Sequence, residues 1–305
     1  MRTIQIVGYR RIAYVFSLTL TAGSLLLLLL PGWGLKPGID FTGGSLSEVT
    51  FSEARPLMAD VSKSVEPIVG VSEAAPLGEH GVSLRFRNVT EPEHQAVLNA
   101  LQKTFAIDGA SVVEERFTTI GPTVGVELRQ RAWVAVLTVL LAIILYISWA
   151  FRKVSRPVPS WQYGVVAIVA LVHDVLITMG AFVLFGRYLG VEVGVLFVTA
   201  LLTVLGFSVH DTIVVFDRVR ENLHRATDRF SEVVNRSVNE TLARSINTSL
   251  TTLVVLLATL LFGGESIRFF VLALIIGIAF GTYSSIFIAS PLLVSIFAWR
   301  EKHGK

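Results

Sequence analysis

Cysteine is absent from all 305 residues, which excludes a disulfide framework, a thiolate nucleophile and any Cys-ligated metal. Histidine is scarce, with six residues in the whole chain, so there is little material for a metal centre and none is expected. Charge is scarce as well. Asp, Glu, Lys and Arg make up 16% of the chain, where an ordinary soluble domain carries about 25%. A composition that is 52% hydrophobic, with a mean hydropathy of +0.65, is neither a disordered chain nor a typical soluble enzyme. The net charge of +3 does not signal nucleic acid, because the basic residues gather beside apolar runs.

Long uncharged apolar runs are abundant. A helix needs about 20 apolar residues to cross the hydrocarbon core of a bilayer. The runs predict six spans, at residues 12–35, 132–150, 157–186, 193–216, 245–264 and 269–299. Pro291 is expected to end or kink the sixth helix and leave an interfacial tail. The first run is longer than a signal-peptide core and no A-x-A site follows it, so an uncleaved helix is expected. Lys and Arg then set the orientation. On one side lie Arg2, Arg10 and Arg11; Arg152, Lys153 and Arg156; Arg218, Arg220, Arg225, Arg229, Arg236 and Arg244; and Arg300, Lys302 and Lys305. The opposite short loops carry Arg187 and Arg268. Both termini are therefore predicted to be cytoplasmic. Residues 1–35 form the tail and first helix, and 127–305 form a five-helix bundle with a cytoplasmic tail.

Residues 36–126 fall outside the membrane on this topology, as one long loop with 12 acidic and 7 basic residues. The pattern reads strand, helix, strand, strand, helix, strand. Residues 45–51 and 81–87 alternate with period two, and 69–77 and 110–117 read as further strands. Residues 56–65 and 91–105 are helical, the second opened by Thr90 and Pro92. That order predicts a ferredoxin-like split sandwich with its own core. The fold class is thus a polytopic α-helical membrane protein with an α+β extracytoplasmic domain between its first and second helices. His80 and His94 are expected to be isolated residues on the domain's polar surface.

Two carboxylates interrupt the apolar runs: Asp174 near the middle of the third span and Asp211 in the inner part of the fourth. An ionised Asp at a helix centre costs about 2.5–3.5 kcal/mol on insertion scales. Such a residue is either a proton or ion site or a buried packing pin bonded to Ser or Thr of a neighbouring helix. His173 and His210 precede them and are additional titratable groups. Sequence neighbours point about 100° apart on a helix, so catalytic His–Asp pairs are not expected. Arg244 stands at the inner edge of the fifth span, before Ser245, Asn247, Thr248, Ser249, Thr251 and Thr252, whose polar groups either bond back to carbonyls or line a wet path. Gly277, Gly281, Ser285 and Ala289 form a small-residue stripe that reads as packing. In 217–244, Val219, Leu223, Ala226, Phe230, Val234, Val238 and Leu242 step by three or four. They predict an amphipathic cytoplasmic helix, on the membrane surface or as a solvated connector. No H-E-x-x-H and no Ser-His arrangement is present, so no enzyme activity is expected.

Four stretches carry a resemblance: Gly38-Ile39-Asp40-Phe41-Thr42-Gly43-Gly44; Val172-His173-Asp174-Val175; 206–222, ending Asp217-Arg218-Val219-Arg220-Glu221-Asn222; and 239–252, with Gly263-Gly264 beyond. Together they resemble the SecF family, a subunit of the bacterial and archaeal protein-export machinery. The resemblance implies a cytoplasmic-membrane protein that pairs with SecD, associates with the SecYEG channel and uses the proton-motive force to help draw exported polypeptides outward. It implies no cofactor besides the proton gradient and no nucleic acid. Asp211 would be the proton-linked carboxylate, Arg244 its nearby cationic partner and Asp174 a supporting carboxylate, with a further acidic partner from SecD. His210 departs from the family, which often has Asn there, and adds a titratable group beside Asp211. A start at Met1 with a basic tail suggests that SecD is a separate chain. Two alternatives are a proton-coupled exporter of small molecules or lipids, and a structural scaffold that would tolerate Asp211→Asn.

Overall fold

A computed structural model describes residues 4–106, 111–152, 158–224 and 227–303. Arg2, Lys153, Arg156, Arg225, Ala226 and Lys305 lie outside the described residues, as do the expected starts of the third span at 157 and the last strand at 110. In chain order the elements are α1 (Arg10–Leu29), α2 (Ile39–Thr42), β1 (Gly44–Phe51), α3 (Met58–Val69), β2 (Glu73–Leu77), β3 (Gly81–Phe86), α4 (Glu91–Phe105) and β4 (Val112–Ile120). Then come α5 (Pro122–Ala150), α6 (Ser160–Leu189), α7 (Val195–Leu223), α8 (Phe230–Phe262), α9 (Arg268–Ser284), a π-helical turn (Ser285–Ala289) and α10 (Ser290–His303). Two compact units result. One holds Lys36–Trp133 with Glu192–Val195, and the rest of the chain forms the other.

The smaller unit contains a four-stranded sheet ordered β2-β3-β1-β4, with every neighbouring pair antiparallel. This is the order that two interlocked β-α-β units require. The period-two pattern puts Val49, Phe51, Val82, Leu84 and Phe86 on one face, all buried. Val61, Val65 and Val69 on α3, and Val97 and Leu101 on α4, recur every four residues and close that face into one core. α4 starts at a capping box, where the Glu93 carboxylate accepts the Thr90 backbone N–H at 2.8 Å. The expected strand and helix order is present, with edges shifted by a few residues and the extra turn α2 in front. His94 is not a surface residue. It is 6% exposed, stacks on Phe117 with ring centroids 3.7 Å apart, and its Nε2 lies 2.9 Å from Glu114 Oε2. Helix periodicity alone did not show that the sheet brings Glu114 and Phe117 beneath it.

The larger unit is a helical bundle. Among the described residues six helices are long and apolar enough to cross a membrane: α1, α5, α6, α7, α8 and the continuous 265–303 segment. α6, α7 and α9 are half buried within the chain, whereas α1, α5 and the apolar half of α8 leave most of their side chains exposed. The core joins Tyr163, Val166 and Ala170 of α6 to Val215, Phe216 and Val219 of α7 and Val234 and Val238 of α8. Tyr163 stacks on Phe151 and meets Phe216 edge-on.

Three expectations change here. The second span starts ten residues early, at Pro122, because the charged turns around Glu127 and Arg131 stay helical through an i,i+4 ion pair. The 217–244 segment is not one helix. Its first part continues α7 and its second opens α8, and the apolar stripe that suggested a membrane surface is spent on the bundle core. Pro291 does not end the sixth helix, because the π-helical turn before it absorbs the missing N–H and the ring's crowding of the preceding carbonyl. The N-terminal segment is also docked: Asn239 and Asn235 of α8 pair with the backbone of Ile4 and Val7, and Ile6 and Val7 are buried.

Candidate functional site

The glycine-rich stretch after α1 builds a staple. Asp40, in α2, accepts the Val195 backbone N–H at 2.8 Å, and Gly38 N–H donates to Val193 O at 2.9 Å. Gly43 and Gly44 have φ of +74° and +121°. A Cβ on Gly43 would stand 2.8 Å from Pro122 Cα, and one on Gly44 would stand 2.9 Å from Phe86 O, so neither position takes another residue without strain. Phe41 is buried behind them. Arg85 completes the staple with an ion pair to Glu192 at 2.8 Å and a bond to Thr42 Oγ1 at 2.7 Å. Burial pushes the Glu192 carboxyl up, and the Arg85 guanidinium opposes that. These residues place the segment before α7.

The motif at the end of α7 ties that helix to the start of α8. Arg218 pairs with Glu221 at 2.5 Å and with Glu240 at 2.6 Å, and Asp217 pairs with Arg220 at 2.8 Å. Asn222 donates to Ser237 Oγ at 2.9 Å and to Glu240 at 2.7 Å. This cluster has the chemistry of a helix-hairpin clamp.

Asp174 and Asp211 are the centre of the site. Asp174 is fully buried, and its Oδ2 accepts the hydroxyls of Ser208 (α7) at 2.6 Å and Ser284 (α9) at 2.8 Å. Its Oδ1 lies 2.9 Å from Nδ1 of His173. Adjacent residues on a helix do pair here, because the imidazole is long enough to swing back over the 100° between them. Asp211, 6% exposed, accepts the Ser245 hydroxyl of α8 at 2.5 Å and the Ser285 hydroxyl of the π-helical turn. Ser284 and Ser285 are adjacent, so one turn of the sixth span touches both carboxylates. Gly277 and Gly281 permit this approach: a Cβ at Gly281 would lie 3.0 Å from Ser208 Cβ. The small-residue stripe is therefore packing, as expected, and through Ser285 it is also part of the polar site.

Arg244 does not join them. It is exposed on α8 and makes no hydrogen bond or ion pair among the described residues. His210 is exposed as well, as are Asn247 and Thr248. Thr251 and Thr252 bond back to the Thr248 carbonyl, and Ser249 pairs with Thr282 at 2.5 Å. Of the hydroxyls that hold the carboxylates, Ser245 and Ser285 were visible in the sequence as parts of other patterns. Ser208 lay within the 206–222 stretch without being singled out, and Ser284 lay in none of the patterns. The two carboxylates are thus held by hydroxyls from three helices. Among the described residues no cluster of His, Asp and Glu is arranged to hold a metal.

Comparison with known proteins gives consistent matches. The family described as protein export membrane protein SecD/SecF, C-terminal, matches residues 100–299, and the SecD/SecF GG motif matches 29–54. The chain is 45% identical to protein translocase subunit SecF of Thermobaculum terrenum over 98% of this chain and 95% of that one. It is 40% identical to the SecF of Anaerolinea thermophila over 95% of this chain and 93% of that one. The crystal structure of SecDF, a translocon-associated membrane protein from Thermus thermophilus, superposes with a TM-score of 0.82 at 34% identity. That match covers 98% of this chain but 39% of the longer SecDF chain.

Proposed function

Because the chain belongs to the SecF family of protein translocase subunits, we propose that it works with a SecD partner to couple the proton-motive force to protein export through the SecYEG channel. The observation that carries this reading is Asp211. It is a carboxylate buried inside a membrane-spanning helix, held by hydroxyls from two other spans, with no cation bonded to it within the chain among the described residues. The exposed Arg244, on the same helix as Ser245, is available to a second chain. SecD, which the longer SecDF relative carries, would complete the site with an acidic group. Moving one charge through 100 mV yields about 2.3 kcal/mol. A proton that enters and leaves Asp211 would thus have enough energy to bias two helix arrangements, and the ferredoxin-like domain would lie outside the membrane and respond to them. Both termini would be cytoplasmic, in the bacterial or archaeal cytoplasmic membrane. The exported polypeptide would be a transient partner, and no cofactor or enzymatic step is required.

Asp211→Asn tests this. Export into membrane vesicles under an imposed pH gradient should lose its gradient-driven stimulation, while co-purification with SecD is kept. Wild-type stimulation in the variant would leave only the scaffold reading.

A further inference from the structure

We propose that the third span carries a second proton-binding site, distinct from Asp211, in which the proton lands on Nε2 of His173 while Asp174 remains a carboxylate that orients the ring. This rests on the proton-coupled reading above and adds to it a site of a different chemical kind.

The first argument is hydrogen-bond supply. Asp174 Oδ2 accepts the hydroxyls of Ser208 and Ser284, and its Oδ1 lies 2.9 Å from Nδ1 of His173. With a carboxylate facing it, Nδ1 of His173 is the ring nitrogen that carries hydrogen, and Nε2 is left as a bare lone pair. That Nε2 is buried, in a residue 6% exposed, and has no partner among the described residues. It is the unengaged base of the cluster.

The second argument is charge. A neutral His173 beside an ionised Asp174 leaves one net negative charge in the interior of the bundle. A new Nε2–H bond turns the pair into imidazolium and carboxylate with no net charge. The proton comes from the acidic side and returns as hydronium on the other, and no other bond changes. The groups facing the ring are Asp174 on its own helix, Tyr283 of α9, stacked at 6.3 Å, and the hydroxyl of Ser208 on α7 beyond the carboxylate. From α1, Ser17 donates to the Tyr283 hydroxyl at 3.2 Å, behind that ring. Among the described residues no Lys or Arg bonds to the pair. The two sites are not independent, because Ser208 and Asp211 share a turn of α7 and Ser284 and Ser285 are adjacent. A proton on one shifts the serines of the other.

The test uses the full chain in liposomes with nitrogen-15 histidine, read by solid-state NMR from alkaline to acidic pH. His173 is assigned through its contact with labelled Tyr283, so the result does not depend on a variant folding. The expected result is a bare Nε2 that becomes protonated on acidification while Nδ1 stays protonated. Infrared difference spectra should show no protonated-carboxyl band that Asp174→Asn removes. In Asp174→Asn the His173 midpoint should fall, with at least a tenfold loss of proton affinity. A ring that stays bare at Nε2 while an Asp174 carboxyl band appears would overturn the proposal, as would an unchanged midpoint in Asp174→Asn. None of these readings requires export activity, so a failure here is separable from a failure of the Asp211 reading.

Discussion

Gly277→Ala adds one methyl group where the structure has no room for it. A Cβ at 277 would lie 2.2 Å from Val204 Cγ2, 2.7 Å from its Cγ1 and 3.0 Å from its Cβ. Carbon atoms rest about 3.5–4.0 Å apart. Val204 is fully buried and, being β-branched in a helix, has one strongly preferred rotamer, so it cannot turn away. Relief therefore requires α7 and α9 to separate by about 1 Å. That movement is large against the about 2.5–3.0 Å span of an O–H···O bond, so it weakens Ser208 and Ser284 at Asp174 and Ser285 at Asp211 together. A 2.2 Å contact with a side chain that cannot turn away falls in the upper half of the overpacking range, about 2–3 kcal/mol, from which Ala recovers about 1 kcal/mol of helix propensity. The expected net loss is about 1–2 kcal/mol in denaturant unfolding of the detergent-solubilised chain, with reduced gradient-driven export. Val204→Ala removes both Cγ atoms and should rescue Gly277→Ala in a double-mutant cycle. Gly206→Ala is the control, since a Cβ there meets nothing within 4 Å. Wild-type stability in Gly277→Ala, or simple additivity with Val204→Ala, would refute the close-approach reasoning.

Arg244→Lys should keep part of the gradient-driven export and Arg244→Leu should lose it, measured in vesicles, if charge toward a second chain is what matters. Equal loss in both variants would mean that fork geometry and not charge is needed, and wild-type activity in both would remove Arg244 from the site. Residues 36–126 expressed alone should give a mixed α/β circular dichroism spectrum and a cooperative melt, and Leu84→Ala, at a fully buried position, should cost about 2–5 kcal/mol. An all-helical or disordered spectrum would count against an independent domain. Glu93 is held down from 4.5 to about 2, first by Arg87 and then by Thr90. The unfolded chain protonates it first as pH falls, so its contribution is full above pH 4.5 and disappears as pH drops toward about 2. Glu93→Gln should flatten that acid limb of the domain's melting profile, and an unchanged limb would show that the capping box is not its source.

The six spans, the strand and helix order of the small unit, and both intramembrane carboxylates were legible from hydropathy, period and charge, because each is a property of neighbours along the chain. The glycines at 43 and 44 were legible as a motif, but only the positions of Pro122 and Phe86 explain why no side chain fits there. Where the reading missed, a distant segment decided the outcome. His94 went inside because β4 runs beneath α4. The stripe in 217–244 faced the bundle and not a bilayer, because Phe230 and Val234 had an apolar core within reach.

The sequence by itself determined the six long apolar runs, the α+β insert between the first two and the two acids inside the runs, since hydropathy and period are set by composition over a window. Only the tertiary structure decided what the acids bind. Ser208, Ser245, Ser284 and Ser285 come from three different spans, and hydroxyls are too common along a chain for spacing to single them out. Their convergence depends on how closely α7 and α9 approach at Gly277 and Gly281, and on the π-helical turn that aims adjacent serines at different helices. Those are distances between elements, and they exist only once the bundle has packed.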